Sequence, residues 1–449
     1  MKYFGIDDLW ASLRCVWGDQ KSLFEKEFAQ YIGAKFAIGT SYGRTALYLG
    51  LRAIDVREKE VIIPAFICTV VRHAVIAAGG IPRFVDVDLG NFNFKIDDLR
   101  RKITQRTKAL ILVHYFGRVA GNMDEVIQVA RGSSIAVVED CAHSLGAEYN
   151  GEKIGTLGDV GTFSLTKNTI NFGGGMLVTN NDLIYENART ILKNEKISRK
   201  KRLADFPIVI AYGLEQIADK ALFETVKSDL FKQLIRKLPN LLLEIRKFVI
   251  GGMKQALILT GVRHRGVEHS TGCFNGGSET TIYSQGIHMQ PIIASVGRTQ
   301  LRKIEHLSLR RKKICDQLSK LRNYHFGNLD GFTGKDVYTH VVLRFPREDI
   351  FQVIEECKNA GILLKATWPT HQKLWDDQVT ETVKTIEREI LTWNVNPDLT
   401  DEKVRRFIEI VSGCANGGAF LQENAKSRSV SGKNLSQDST LEPFHHGSL

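Results

Sequence analysis

Nowhere does this sequence hold the roughly 18 or more consecutive apolar residues that a membrane-spanning helix needs. Its opening stretch, "MKYFGIDDLWASLRCVWGDQ", carries acids early and lacks a continuous apolar core, so it is not expected to act as a secretory signal. Cysteine is sparse: seven residues, an odd number, with no CxxC pair. That argues against a disulfide framework or a zinc site. It predicts reduced thiols in a cytoplasmic protein, most of them buried as small hydrophobes. No nucleic-acid recognition motif accompanies the excess of basic residues, so nucleic acid is not an expected partner.

What is present is a chain of 449 residues, 43% hydrophobic and 25% charged, long enough for two domains with a large core. Its formal net charge of +11 is unevenly spread. Between Lys193 and Arg265 there are 16 Lys/Arg against 7 Asp/Glu, so that segment alone carries +9 and the remainder is close to neutral. The basic character therefore belongs to one segment and not to the fold.

The first half alternates strand and helix. "VIIP" from Val61, "RFVDVD" from Arg83, "KALILVHYFG" from Lys108 and "SIAVVEDCAHS" from Ser134 read as strands, followed by "VGTFSL" and "GMLVTN". "RTALYLGLRAI" places Leu47, Leu51 and Ile54 at helical spacing, and "VVRHAVIAAGG" reads as a helix with a glycine stop. Strands that are apolar throughout and spaced by helices predict an α/β fold, a mostly parallel central sheet flanked by helices. Ligands of such sheets sit at the carboxyl ends of the strands.

Three features converge on those ends. "GTSYGRTAL" is a glycine-containing turn opening a helix. Its N–H groups suit a phosphate, or it is a plain helix cap, and its spacing is not G-x-G-x-x-G. Asp140 closes an apolar strand, either as a helix cap or as the partner of a buried cationic ring nitrogen, with His143 three residues on. Lys167 follows "FSL" and stands six residues before a run of three glycines. A phosphate cradle, a strand-end carboxylate and a later strand-end lysine together are what pyridoxal phosphate (PLP) requires.

At this point the chain resembles the DegT/DnrJ group of sugar aminotransferases, which are fold-type-I PLP enzymes. The stretches that carry the resemblance are "GRTALYLGL", "EVIIPAFICTVVRHAVIAAGGIPRFVDVD", "ILVHYFGRVAGNMDEV", "VVEDCAHSLGAEYNGEKIGTLGDVGTFSLTKN" and "GGGMLVTNND". They run in order from about Gly33 to Asp182. Weaker similarity resumes at "HMQPIIASVGRTQLRKIEHLSLRRK" and continues to "LTDEKVRRFIEIV". The resemblance implies that Lys167 is the Schiff-base lysine and Asp140 the pyridinium partner. It places Gly43, Arg44 and Thr45 in the phosphate turn and Ser164 as a phosphate-binding serine. His143 stands where the family usually has glutamine, beside the cofactor's phenolic oxygen, so its hydrogen bond is expected to change character with pH.

Several positions depart from the family pattern. Cys68 occupies the place of the aromatic that stacks on the cofactor, which leaves Phe66 or another ring to cover that face, or a weaker stack. Two residues are missing between Ser164 and Lys167 relative to the commoner form. Arg44 replaces a small hydroxyl residue; its guanidinium either adds a phosphate contact or points outward. The partner-subunit segment reads Gly286, Ile287, His288, Met289, without the asparagine that reaches a neighbour's phosphate. Relatives that dehydrate sugars carry histidine in place of the lysine.

The expected organisation is a large PLP-binding domain over 1–323, a smaller C-terminal α/β domain over 324–414 and a disordered tail over 415–449. Within the first lies a basic helical insert, 193–280. Its apolar residues recur at three and four among lysines and arginines, a pattern for packing on the main domain or a second subunit, or for peripheral contact with an anionic membrane through 193–265. The resemblance implies a homodimeric, cytoplasmic aminotransferase that turns a nucleotide-linked keto sugar into an amino sugar, with glutamate as donor, and no metal. The rival readings are a PLP enzyme on a non-sugar ketone, a sugar dehydratase, and a non-catalytic scaffold of the same fold.

Overall fold

The computed structural model describes residues 5–15, 17–169, 173–194, 287–318, 334–345, 347–366 and 380–415. The expected insert, apart from Lys193 and Asn194, lies outside the described residues, as does the tail beyond Ala415. Among the described residues no helix is long and apolar enough to cross a membrane.

The chain opens with α1 (Ile6–Arg14) and α2 (Gln20–Ile32) and then alternates. In order come β1 (Phe36–Thr40), α3 (Gly43–Ile54), β2 (Glu60–Pro64), α4 (Thr69–Ala77), β3 (Ile81–Val85), α5 (Ile96–Lys102), β4 (Thr107–Val113), α6 (Met123–Gly132) and β5 (Ala136–Asp140). A hairpin, β6 (Glu148–Tyr149) and β7 (Glu152–Lys153), precedes β8 (Val160–Ser164) and the one-turn helix α7 (Leu165–Asn168). Then follow β9 (Gly175–Thr179) and α8 (Asp182–Asn194).

Seven of these strands form one sheet in the order β1-β9-β8-β5-β4-β2-β3. The pairs β2–β3, β2–β4, β4–β5 and β5–β8 are parallel, as the apolar runs predict. The exception is β9, antiparallel to both β8 and β1. Among the described residues between β8 and β9 there is one helical turn and no crossover helix, and β9 runs back beside β8.

Alternate residues of each strand feed two separate cores. Ile38, Val61, Ile63, Ile111 and Val138 join residues of α3, α4 and α8 on one face. Ala37, Ile62, Leu110, Leu112 and Val137 join α2, α6 and α9 (Pro291–Leu301) on the other. Burial on both faces is why these strands read as continuous apolar runs.

After α9 comes the long α10 (Ile304–Leu318). Next, β10 (Gly334–Lys335) pairs with β6. The rest builds a second sheet from β11 (His340–Arg344), α11 (Arg347–Asn359), β12 (Lys365–Ala366), α12 (Glu381–Glu389), β13 (Ile390–Asn394) and α13 (Asp401–Ala415). Its order is β11-β13-β12, all antiparallel. The central strand, β13, and α12 before it are additions to the sequence reading. Thr400 caps α13, accepting from Lys403 N at 3.2 Å. The second sheet has its own core, in which Trp393 and Phe407 meet at 4.3 Å beside Leu343, Val353 and Ile314 of α10.

Candidate active site

Strand direction decides where the chemistry gathers. The carboxyl ends of β1, β2, β4, β5 and β8 lie on one edge of the sheet, and each is followed by a segment the sequence singles out. They lead into the turn at Gly43, Cys68, the Tyr115 turn, Asp140 and Lys167, respectively.

Lys167 sits on α7, its side chain exposed, with Nζ 3.0 Å from His143 Nε2. Burial drives the His143 pKa well below its ordinary 6.5, and the Lys167 charge and His340 push it further the same way. The ring is therefore neutral at neutral pH. The titration expected near neutrality is moved into acid. Asp140 accepts from Ala142 N at 3.0 Å, an Asx turn and not a helix cap. Burial raises its pKa, opposed by that N–H and by the charges of Lys167 and His114. The Cys68 thiol is likewise raised by burial, against the pull of Lys167.

Cys68 thus lies with Lys167 and Asp140, where the sequence places it, but Phe66 does not cover the cleft in its stead. Phe66 is fully buried in the core, 5.8 Å from Tyr115, whose hydroxyl donates to the Phe66 carbonyl. The rings beside Lys167 are others. His143 stacks on His340 of β11, centroids 5.1 Å apart and planes at 23°, and Phe116 meets both, at 6.1 and 5.8 Å. Sequence reasoning missed His340 because "VYTHVVLRF" reads as an ordinary strand almost two hundred residues from His143. No local signal marks it.

The phosphate turn is packed closely. A Cβ on Gly43 would stand 2.8 Å from Ser164 Cβ, so only glycine lets the turn rest on the end of β8. The glycine run has a matching reason: a Cβ on Gly175 would stand 2.3 Å from the Tyr42 carbonyl oxygen, and Gly174 N donates to Ser41 O at 2.6 Å. Helix α3 begins here with no side-chain cap, which leaves its N-terminal dipole facing the turn. Hydroxyl pairs flank it, Ser41–Thr45 and Ser164–Thr166, each at 3.1 Å. The Arg44 guanidinium lies over the Tyr42 ring, 5.0 Å from its centroid. Ile287 and His288 run beside β1, with Ser41 N donating to Ile287 O at 2.9 Å. Gly286 is outside the described residues.

Glu139, Asp140's neighbour, points into the opposite core with His114 and Cys141, a group whose ligand atoms lie within 4.8 Å of one another. Both carboxylate oxygens are already taken. Oε2 meets Gly155 N at 2.8 Å and His114 Nε2 at 3.1 Å, and Oε1 accepts from Leu157 N and Gly158 N at 2.8 and 2.7 Å. The group is an anchor fixing the 155–158 loop to β5, and so fixing Asp140. Burial pushes the Glu139 pKa up, but the His114 bond and the backbone N–H groups outweigh it and hold it below its ordinary 4.5. Its stabilisation is therefore fully present above that value and lost as pH falls through the depressed one. Glu139→Ala strands several buried donors and should lower stability by about 3 kcal/mol or more, read as a drop in urea midpoint. A midpoint within error of wild type would refute the anchor.

The residues fit PLP. The strand edge offers a glycine turn that a Cβ would close, an uncapped helix end, a half-buried carboxyl, and an exposed amine beside a neutral imidazole. The chain is similar in sequence to the uncharacterized protein MJ1066 of Methanocaldococcus jannaschii, 39% identical over 200 residues, 43% of this chain and 51% of that protein. It is also similar to GDP-perosamine synthase of Caulobacter vibrioides, 40% identical over 189 residues, 41% of this chain and 50% of that one. The chain thus spans about half the length of the curated relatives it matches. In fold it is similar to the PLP form of Spr1654 from Streptococcus pneumoniae, with TM-score 0.65 and 20% identity over 92% of this chain and 96% of that one. The model of the DegT/DnrJ/EryC1/StrS aminotransferase family matches residues 6–209 and 260–412, and the chain belongs to that family.

Proposed function

We propose that the protein is a PLP-dependent aminotransferase converting a nucleotide-linked keto sugar to an amino sugar, with glutamate as donor. The observation that carries the reading is the meeting of the Lys167 amine, the neutral His143 ring and the Asp140 carboxyl at one strand edge. The sugar and the nucleotide link come from likeness to GDP-perosamine synthase. Homodimeric assembly is part of the same reading.

When bound, PLP supplies an electron sink that stabilises charge left on a substrate carbon as its proton departs. The chain's residues do the rest. Lys167 would hold the cofactor through its amine, and that same amine is the chain's group placed to take up and return a proton. Asp140 would pair with a cationic ring nitrogen, a partner that offsets the burial now raising its pKa. The Gly43–Arg44–Thr45 turn, the dipole of α3 and Ser164 hold the phosphate. His143, neutral, would meet the phenolic oxygen without adding charge.

Retention of lysine at 167 favours amine transfer over the dehydratase reading. Adding glutamate to the yellow, PLP-loaded protein should bleach the visible absorbance and release 2-oxoglutarate stoichiometrically, and a nucleotide-linked keto sugar should restore the colour. Absorbance indifferent to every amino acid would overturn the reading and favour a non-catalytic scaffold. Loss of water from the sugar without gain of nitrogen would favour the dehydratase.

A further inference from the structure

Among the described residues Arg311, on α10, is the bulkiest of the buried side chains, 2% exposed. Its sequence surroundings, "LRRKK", read as a solvated charge run, and burying a guanidinium there is costly unless its hydrogens are used. Two destinations are defined. Nη2 donates to the carbonyl oxygen of Asn168 at 2.9 Å, and Nε donates to that of Val395 at 3.2 Å.

Both carbonyls lead back to the active site. Asn168 follows Lys167 on α7, and its side-chain amide donates to the His143 carbonyl at 3.0 Å. Val395 follows β13; its N–H donates to Thr339 O at 2.9 Å, and the next residue is His340, stacked on His143. The contacts close a ring that runs from Arg311 through Val395, Thr339, His340 and His143 to the Lys167 turn, and back to Arg311 through Asn168. Among the described residues the turn is also held by Leu165 N to Gly174 O at 3.1 Å, by Thr169's hydroxyl to the Leu165 carbonyl, and by the Ser164–Thr166 and Lys167–His143 contacts at 3.1 and 3.0 Å.

We propose that Arg311 is a positioning residue. Its guanidinium bridges the carbonyls of Asn168 and Val395, locks the Lys167 turn to the second sheet, and so fixes the lysine amine and His340 in one register around His143. The arginine fork suits two carbonyls in different directions, whereas a lysine ammonium is a single point charge. The inference rests on the reading of Lys167 as the cofactor lysine only for its consequence in catalysis. The mechanical link stands on the hydrogen bonds alone.

Hydrogen–deuterium exchange on the cofactor-free chain tests the link without using activity. In folded Arg311→Gln, exchange in peptides covering 165–169 and 339–344 should rise together, by about ten- to hundredfold, with 43–54 unchanged. Arg311→Lys should restore part of the protection. A folded Arg311→Gln with wild-type exchange at 165–169 overturns the proposal, as does a rise spread evenly over the chain, which would mark a merely structural arginine. Should Arg311→Gln fail to fold, Arg311→Lys decides alone: a smaller rise at both segments supports the link, and none overturns it. Reconstituting wild-type protein with PLP and locating the label is the separate arm. Failure there removes the functional reading and leaves the exchange result standing.

Discussion

Lys167→Ala should lose transamination by about 10⁴-fold or more while the chain stays folded, because one side chain supplies both the covalent anchorage and the moving proton. The fold should tolerate the change. The lysine is exposed, and its one described hydrogen bond is to His143, so the urea midpoint should shift by no more than a surface substitution allows, about 0.5 kcal/mol. A second signature is electrostatic. Burial is the first cause of the low His143 pKa and the Lys167 charge the second, so removing that charge should raise the His143 titration toward its ordinary 6.5. Ring-proton NMR against pH would show the rise. Activity within tenfold of wild type would sink the assignment of Lys167, and an unmoved His143 titration would refute the pairing.

Asp140→Asn has the next largest expected effect, and stability and activity should move in opposite directions. Losing the carboxylate that would keep the ring nitrogen protonated should lower turnover by roughly 10²- to 10⁴-fold. Cofactor content should change far less, because the phosphate turn and Lys167 are intact. In the cofactor-free chain the sign reverses. The folded pKa of Asp140 lies above its ordinary 3.8, so the unfolded chain ionises first and stability falls as pH rises between the two values. Asparagine removes that penalty and keeps an acceptor for Ala142 N. The cofactor-free variant should therefore be as stable as wild type at neutral pH, or more so. Full activity would refute the electronic role; a clear loss of stability would return Asp140 to a structural one.

Much of this site was legible in the sequence because its residues follow apolar strands, and strand ends in a parallel sheet share an edge. Asp140 and Lys167 are read from the strand just before them and Gly43 from the helix its turn opens, whereas Cys68 is placed by the family resemblance alone. The antiparallel course of β9 was not legible, since a strand buried on both faces carries no mark of its direction. Phe66 looked available to the cofactor from its position beside Cys68, yet its ring is claimed by the core with Tyr115. His340 and Arg311 could not be found locally. One sits in an ordinary strand and the other in a charge run. Both gain their place only when the second sheet docks against the Lys167 turn, a contact between segments far apart in the chain.

The most direct test is chemical. The purified protein is incubated with PLP, reduced with borohydride, digested and mapped by mass spectrometry. The expected result is a single phosphopyridoxyl adduct on the peptide containing Lys167, absent in Lys167→Ala. An adduct on Lys153 or Lys193 instead, or no adduct on a folded chain, would contradict the assignment of this cleft as a PLP site.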